Sequence, residues 1–525
     1  KMFERSKKFS LTVREFIEKT HGKDADDFLH PENHPEIPQL KESVQFFKHC
    51  AKSHMPVTII GDYDCDGVMA STIMKIGLSR YGVDAKVRIP RRFTEGYGLS
   101  EKIIDEIKDG LIITVDNGIA AITAIRKAKE KGLSVIVTDH HLPKKEDGEI
   151  ILPSADHIVD PWAYPDAEYT GYCGAGIAYR FIKELLPGQN TDDLKVLAAI
   201  ATVADVMDIT GANWILVKEG LELLNQGRMV PGLKQIIRYL DIDYFVESDF
   251  GFRLGPILNA SSRLKDDGAT DAFKVMSADY RDFTLPWSAR FLVENNQKRK
   301  DITKKCLAEI PLQEDRPIVV YSPNWMPGII GLIAGHLCEE YGCPVIALTD
   351  REGSDGVLTG SARSIEGFHM KNLLEECSKY LLSFGGHAQA AGLSLKKENL
   401  AAFETCFKKA CGPVSKGSRK KYDMEFNSFT GQMIADLEIF APYGNGNPAP
   451  IFHMIYEFKK PVYVGDGSSF ADKTEEMDFI AFGLTEKYLQ CGKPKKVEMI
   501  GNISVKYFHG KIKPQFEILD FESVE

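Results

Sequence analysis

The sequence predicts an α/β protein in three folded parts: a parallel-sheet domain, a second α/β domain reached through a long helix, and a small C-terminal β-barrel. Three observations carry this. Between residues 51 and 210, short runs rich in Ile and Val alternate with helical stretches such as "AAITAIRKAKEKG". Such βαβ alternation builds a parallel sheet covered by helices. The stretch "RFLVENNQKRKDITKKCLAEI" is charged and free of Gly and Pro until Pro311, which reads as one long helix. Beyond the turn "APYGNGNPAP", segments such as "MDFIAFG" and "VEMIGNISVKYF" alternate apolar and polar residues, the pattern of antiparallel strands.

Taken in order, residues 1–50 read as a helical segment with a loop at "HPENHPEIP". Residues 51–210 hold four strands, "PVTIIGDYD", "LIITVDNG", "LSVIVTDHH" and "ADHIVDP", each ending in polar or acidic residues. In an open parallel sheet the crevice lies beyond the carboxyl ends of the strands, so these four ends point at one rim. Residues 211–310 are helical and include the long connector. Residues 311–412 carry strands at "PIVVYS" and "PVIALTD" around the helix "GIIGLIAGHLCEEYG" and end near "SFGGHAQAAGLSL". Residues 413–525 begin with the Gly-, Ser- and Lys-rich linker "CGPVSKGSRKKYD" and continue as a barrel of oligonucleotide-binding type.

A chain of 525 residues exceeds one ordinary core. Its 43% hydrophobic and 27% charged residues are those of a soluble globular protein. No charge-free apolar stretch is long enough to span a membrane, and the opening "KMFERSKKFS" lacks a signal-peptide core. Ten scattered cysteines without a C-x-x-C pair argue against structural zinc and fit reduced thiols in the cytoplasm. The net charge of −10 argues against coating nucleic acid by bulk charge, though a local basic groove is compatible with it.

The chemistry concentrates in "GDYDCDG". Asp62, Asp64 and Asp66 sit where a strand gives way to a helix. Asp116 in "TVDNG", His140 and His141 in "TDHH", and Asp205 in "ATVADVMD" come from further segments. Any single Asp at a strand end could merely cap a helix. Several such clusters aimed at one rim point instead to a metal site, and carboxylates with one or two imidazoles suit Mn2+ or Mg2+ better than zinc. A carboxylate shared by two such ions is the device used for in-line attack on phosphate esters. Asp64 and Asp66 are the preferred direct ligands; an orienting or phosphate-facing role fits His141 as well as ligation does.

"DYDCDG", "VDNG" and "TDHH" resemble the DHH phosphoesterase superfamily. "CGAGIAYRF", "ATVADVMDI", "GPILNASSRL", "GSARS" and "FGGHAQAAG" narrow the resemblance to RecJ-like single-strand-specific exonucleases, from about residue 50 onward. The resemblance implies a DHH catalytic domain, a DHHA1-like substrate-binding domain and an OB-like barrel. It also implies 5′→3′ removal of mononucleotides from single-stranded DNA in repair or recombination. Asp62, Asp64, Asp66, Asp116, His140, His141 and Asp205 would form the centre, all but His141 as ligands of two Mn2+ or Mg2+ ions. Arg363 and the signature Gly385, Gly386 and His387 would contact phosphates, as would Asn259 and Arg263, although Asn259 could simply start a turn. Arg92 and Tyr97 would line the cleft; a loop held by an Arg–Glu95 pair is an equally simple reading of that stretch. A single-stranded-DNA-binding protein and a helicase are the protein partners it suggests, and a monomer is expected.

The sequence departs from the family pattern at Ile257, Trp214 and His336, where arginine is usual, at Ser262 for glycine and at Asp160 for asparagine. These departures bear on substrate grip, because the metal residues are intact. In the barrel, lysines cluster at 416–421, 459–460, 493–496 and around 506–513, interleaved with Tyr463, Phe479, Phe482 and Tyr507. Stacking on such aromatics would hold single strands; filling of the barrel core is the plainer role for each one. Two rivals stand beside the exonuclease: a DHH phosphodiesterase for short oligonucleotides or cyclic dinucleotides, and a non-catalytic scaffold of the same fold.

Overall fold

The computed structural model describes residues 3–351, 353–414, 420–508 and 511–524, without the side chains of 505–508 and 511–512. Residues 415–419 of the "CGPVSKGSRKKYD" linker, Lys416 among them, therefore lie outside the described residues, as does the Tyr507 side chain.

All four anticipated strands form, at Val57–Ile60, Leu111–Val115, Ser134–Thr138 and His157–Val159. A fifth, Lys86–Arg88, adds to the edge beside Val57–Ile60, and every neighbouring pair in this sheet is parallel. Alternation within the strands feeds two cores. Ile59, Ile113 and Ile136 face the helices Cys65–Tyr81, Gly174–Leu185 and Asp192–Ala204. Ile60, Ile112 and Val135 face Ile103, Ile104 and Ile125 on the other side. A sheet covered on both faces explains why its strands read as unbroken apolar runs.

Asn117 ties this sheet together at the rim. Fully buried, its Nδ2 donates to the carbonyls of Ile60 (3.1 Å), Gly61 (3.1 Å) and Val115 (2.9 Å). Its Oδ1 accepts the Leu99 N–H at 3.1 Å. One side chain thus links two strand ends and the following loop.

The long helix runs Leu285–Ala308 and packs against Gly255–Leu264 and, further along, against Ile330–Tyr341 of the second α/β region. There the sheet is mixed: Ile318–Tyr321 and Val345–Asp350 are parallel, while Val357–Arg363, Ala390–Lys396 and Leu381–Gly386 continue antiparallel. The C-terminal region is a seven-stranded sheet dominated by the Lys496–Phe508 and Lys511–Ser523 hairpin. It is not purely antiparallel, because Met424–Glu425 runs parallel to Phe452–Glu457 and Asp478–Ala481 parallel to Lys511–Ser523. The N-terminal segment is more than helices: Glu4–Arg5 pairs in parallel with Lys421–Tyr422, tying the start of the chain to the C-terminal region.

Replacing Asn117 with Ala strands three carbonyls and one N–H at a buried junction. Asn117→Ala is expected to destabilise the parallel-sheet domain by about 3 kcal/mol in urea unfolding. A loss below about 0.5 kcal/mol would contradict this role.

Candidate metal centre and phosphate cleft

The rim collects every carboxylate and imidazole that the sequence singled out. Asp62 follows strand Val57–Ile60 and is buried. Asp64 caps helix Cys65–Tyr81, accepting the Gly67 N–H at 3.0 Å. Asp66, in the first turn, accepts the N–H groups of Gly174 and Ala175, both at 2.7 Å. The helix N-terminus in "CGAGIAYRF" therefore serves to orient Asp66. Gly174 has no Cβ for a reason: one there would stand 2.6 Å from Asp116 Oδ1.

Asp116 lies at φ 62°, left-handed backbone unusual outside glycine, at the end of Leu111–Val115. The His140 Nε2 sits 3.1 Å from Asp116, 3.6 Å from Asp66 and 3.7 Å from Asp205. Asp205 ends helix Asp192–Ala204. Three overlapping sets each place their ligand atoms within 4.8 Å of one another: Asp62, Asp64 and Asp116; Asp66, His140 and Asp205; and Asp116, His140 and His141.

Burial and mutual repulsion raise the pKa values of Asp62, Asp64, Asp116 and Asp205, with Asp64 acting on Asp62 and Asp66 on the other three. Burial lowers that of His140. For His141 burial pulls down, but the hydrogen bond and charge of Asp139 (2.8 Å) raise it to about 9. Tyr97 completes that corner, its hydroxyl donating to the Asp116 carbonyl at 2.7 Å and lying 2.9 Å from His141 Nδ1.

These residues fit a pair of hard divalent cations. The donors are carboxylate oxygens and imidazole nitrogens. Asp62 Oδ1 and Asp116 Oδ1 are buried without any hydrogen-bond partner among the described residues. Buried carboxylates at such spacing need added positive charge to ionise together.

Close to the carboxylates stands a group of guanidiniums: the charge of Arg92 acts on Asp62 and Asp64, and that of Asp64 on Arg263. Arg263 donates to the Gly328 carbonyl at 3.3 Å, joining helix Gly255–Leu264 to the second α/β region. Burial, then Arg92, Arg299 and Arg363, lower its pKa to about 9. Arg363 ends strand Val357–Arg363 and is braced by the Ala362 carbonyl (2.8 Å) and Ser361 Oγ (3.1 Å). Arg92 stacks over Tyr63, 4.6 Å from the ring centroid, and reaches Ser262 Oγ at 3.3 Å. Among the described residues none of the four has a carboxylate within ion-pair distance. Asn259 Oδ1 is buried and unpartnered nearby on helix Gly255–Leu264.

Glu95 pairs with Arg88 (2.7 Å), which leaves Arg92 to the cleft. Gly385 and Gly386 end the exposed strand Leu381–Gly386, paired with Gly392 and Ala391, and His387 opens the hairpin turn that follows; no described hydrogen bond joins them to the carboxylates. In the C-terminal sheet Phe479 is buried, stacked on Tyr456, so it fills the core; Tyr463 and Phe482 are exposed. Of the departures, Ile257 and Trp214 are buried, the indole of Trp214 donating to the Phe440 carbonyl at 3.2 Å. Arg299 and the His141-orienting Asp139 are additions to the expected site residues. The helix carrying Arg299 reads from sequence as a connector, although its Asn295, one turn earlier, already bonds Ser261 of the cleft helix at 3.0 Å.

Fold and site together are those of a DHH-domain protein. The family model for the DHH family N-terminal domain matches residues 56–206, that for the DHHA1 domain 315–412, and that for the RecJ OB domain 422–520. The single-stranded-DNA-specific exonuclease RecJ of Bacillus subtilis is 32% identical over 95% of this chain and 65% of that protein. Its counterpart from Salmonella typhimurium is 30% identical over 81% of this chain and 79% of its own length. The crystal structure of RecJ in complex with Mn2+ from Thermus thermophilus superposes with a TM-score of 0.81 at 25% identity, covering 98% of this chain and 76% of that one. The chain belongs to the RecJ family. It spans about two thirds of the length of the Bacillus relative.

Gly174→Ala drives a methyl group into Asp116. It is expected to lower hydrolytic turnover at least a hundredfold while circular dichroism stays near that of the parent; unchanged turnover would contradict the close packing described.

Proposed function

We propose that this chain is a metal-dependent 5′→3′ exonuclease that hydrolyses single-stranded DNA to 5′-mononucleotides in repair or recombination. The observation that carries this is a buried carboxylate ring close to guanidiniums that have no carboxylate within ion-pair distance among the described residues. Family membership supports it, since the relatives matched are named for that activity.

Asp62, Asp64, Asp66, Asp116, His140 and Asp205 would hold two Mn2+ or Mg2+ ions. Such ions supply the positive charge that lets these carboxylates ionise together and the acidity that makes water a nucleophile toward phosphorus. The chain's own residues do the rest. The Gly174 and Ala175 N–H groups and His140 fix the direction of Asp66. His141 is oriented beside the ring by Asp139 and Tyr97, and the hydrogen bond and charge of Asp139 raise its pKa. Among the described residues Arg263, Arg363, Arg299 and Arg92 have no carboxylate within ion-pair distance, so phosphates of the strand would meet charge not already neutralised. Gly385 leaves open space where a Cβ would stand, suited to a backbone approaching the Gly385–Gly386–His387 segment.

The DHHA1 and OB regions favour a long strand over a dinucleotide, which needs neither. The reading brings with it a cytoplasmic monomer working beside a single-stranded-DNA-binding protein and a helicase. Among the described residues no helix is long and apolar enough to cross a membrane.

Long single strands labelled at either end, a duplex and a dinucleotide, each incubated with Mn2+ or Mg2+, test the proposal. Release of labelled mononucleotide first from the 5′ end of the single strand is expected, with no turnover after chelation. Activity confined to the dinucleotide would reject it. Asp116→Ala and His140→Ala should each abolish hydrolysis. Arg363→Ala should raise KM about tenfold or more with a smaller change in kcat. Wild-type turnover in either of the first two would reject the assigned centre.

A further inference from the structure

We infer that Asn445, in the "YGNGNP" turn of the C-terminal region, is a positioning residue for Asp205: it clamps the strained residue that follows this carboxylate and so sets the affinity of the site for divalent ions. The inference rests on the two-ion reading above.

Helix Asp192–Ala204 closes at Asp205, whose N–H donates to the Ala201 carbonyl at 2.8 Å. The next two N–H groups turn back, Val206 to Val203 and Met207 to Thr202, both at 3.1 Å. That pair of bonds is a Schellman closure, which needs left-handed backbone at the residue after the cap. Glycine or asparagine ordinarily stands there; here it is Val206 at φ 56°. A β-branched side chain in that region is a steric outlier. With Val206 67% exposed, side-chain burial does little to offset the strain. The Asp205 carboxylate lies near the His140 ring but accepts no hydrogen bond from any described residue. Its aim is therefore set by the backbone of this turn.

What holds the turn comes from 239 residues away in sequence. Asn445 Nδ2 donates to the Val206 carbonyl at 3.0 Å and to Asp208 Oδ1 at 2.7 Å. The Ile209 N–H donates to the Asn445 carbonyl at 2.7 Å. Asn445 thus grips the segment on both sides of Met207. It is presented rigidly: Gly444 and Asn447 exchange backbone hydrogen bonds at 2.8 and 3.1 Å. Asn447, fully buried, donates to the carbonyls of Phe440 (3.2 Å) and Pro442 (2.9 Å). Gly446, at φ 71°, lies so close to Asp208 that a Cβ would stand 2.9 Å from its side chain. The motif is shaped to the loop after Asp205. On this account the C-terminal region finishes the metal centre as well as holding the strand.

The test uses the full chain and Mn2+ alone. Groups that orient metal ligands change affinity about 10–100-fold when removed. Asn445→Ala should weaken Mn2+ binding, measured by isothermal titration calorimetry, at least tenfold, and excess Mn2+ should restore turnover. Trp214→Phe is the control, because it removes the bond to the Phe440 carbonyl at the same interdomain contact but leaves residues 205–208 untouched. It should keep Mn2+ affinity within twofold. Unchanged affinity in Asn445→Ala, or an equal loss in both variants, overturns the inference. Failure of the unaltered chain to bind Mn2+ would instead reject the two-ion reading itself.

Discussion

Five carboxylates brought together where water is scarce are the constraint on which the rest of this structure depends. Two unit charges 4 Å apart repel by about 4 kcal/mol at an effective dielectric constant of 20. Asp62, Asp64, Asp66, Asp116 and Asp205 converge from three segments, and His140 joins them from a fourth. A fold left to minimise its own energy would separate them. This one spends backbone conformation to keep them close: Asp116 and Val206 both adopt left-handed φ, and Gly174 presses against Asp116. Left-handed φ occurs also at His54 and Asp147 of this domain, but at Asp116 and Val206 it lies beside a like-charge cluster, which suits a site prepared for external cations.

The neighbouring group has the opposite sign. Arg92 comes from a loop of the first α/β region, Arg263 and Arg299 from two helices of the helical region and Arg363 from a strand of the second α/β region; their mutual proximity, with burial, disfavours charge on Arg263. A phosphodiester between metal ions and guanidiniums would relieve repulsion in both groups at once. The Arg263–Gly328 hydrogen bond joins the helix that carries Arg263 to the region that carries Arg363, and the long helix Leu285–Ala308 packs against both Gly255–Leu264 and Ile330–Tyr341. The connector is in this sense part of the site.

How much of this the sequence reveals depends on the range of the interaction. Strand-end carboxylates are legible because a parallel sheet sends all its strand ends to one rim, so Asp62, Asp116 and the "DHH" triplet converge by topology alone. The four long strands were equally plain, being buried on both faces. Lys86–Arg88 and Glu4–Arg5 escape notice because they are two or three residues long and carry no alternation. Arg299 is hidden by its setting: one arginine in "NNQKRKD" resembles solvated charge until the neighbouring helix is in place. Asn445 is invisible for a related reason, since nothing local connects a Gly- and Asn-rich turn with a helix end more than two hundred residues earlier. Phe479 shows the converse. Core filling, the plainer expectation for each barrel aromatic, is what the alternation within its strand gives Phe479, whereas Tyr463 and Phe482 stay outside.

The central claim, that the carboxylate ring is built around two divalent cations, is tested most directly by anomalous diffraction at the manganese edge from crystals of this chain grown with Mn2+. The account predicts two anomalous peaks, both enclosed by Asp62, Asp64, Asp66, Asp116, His140 and Asp205. No peak within that ring, or peaks confined to other carboxylates of the surface, would contradict it.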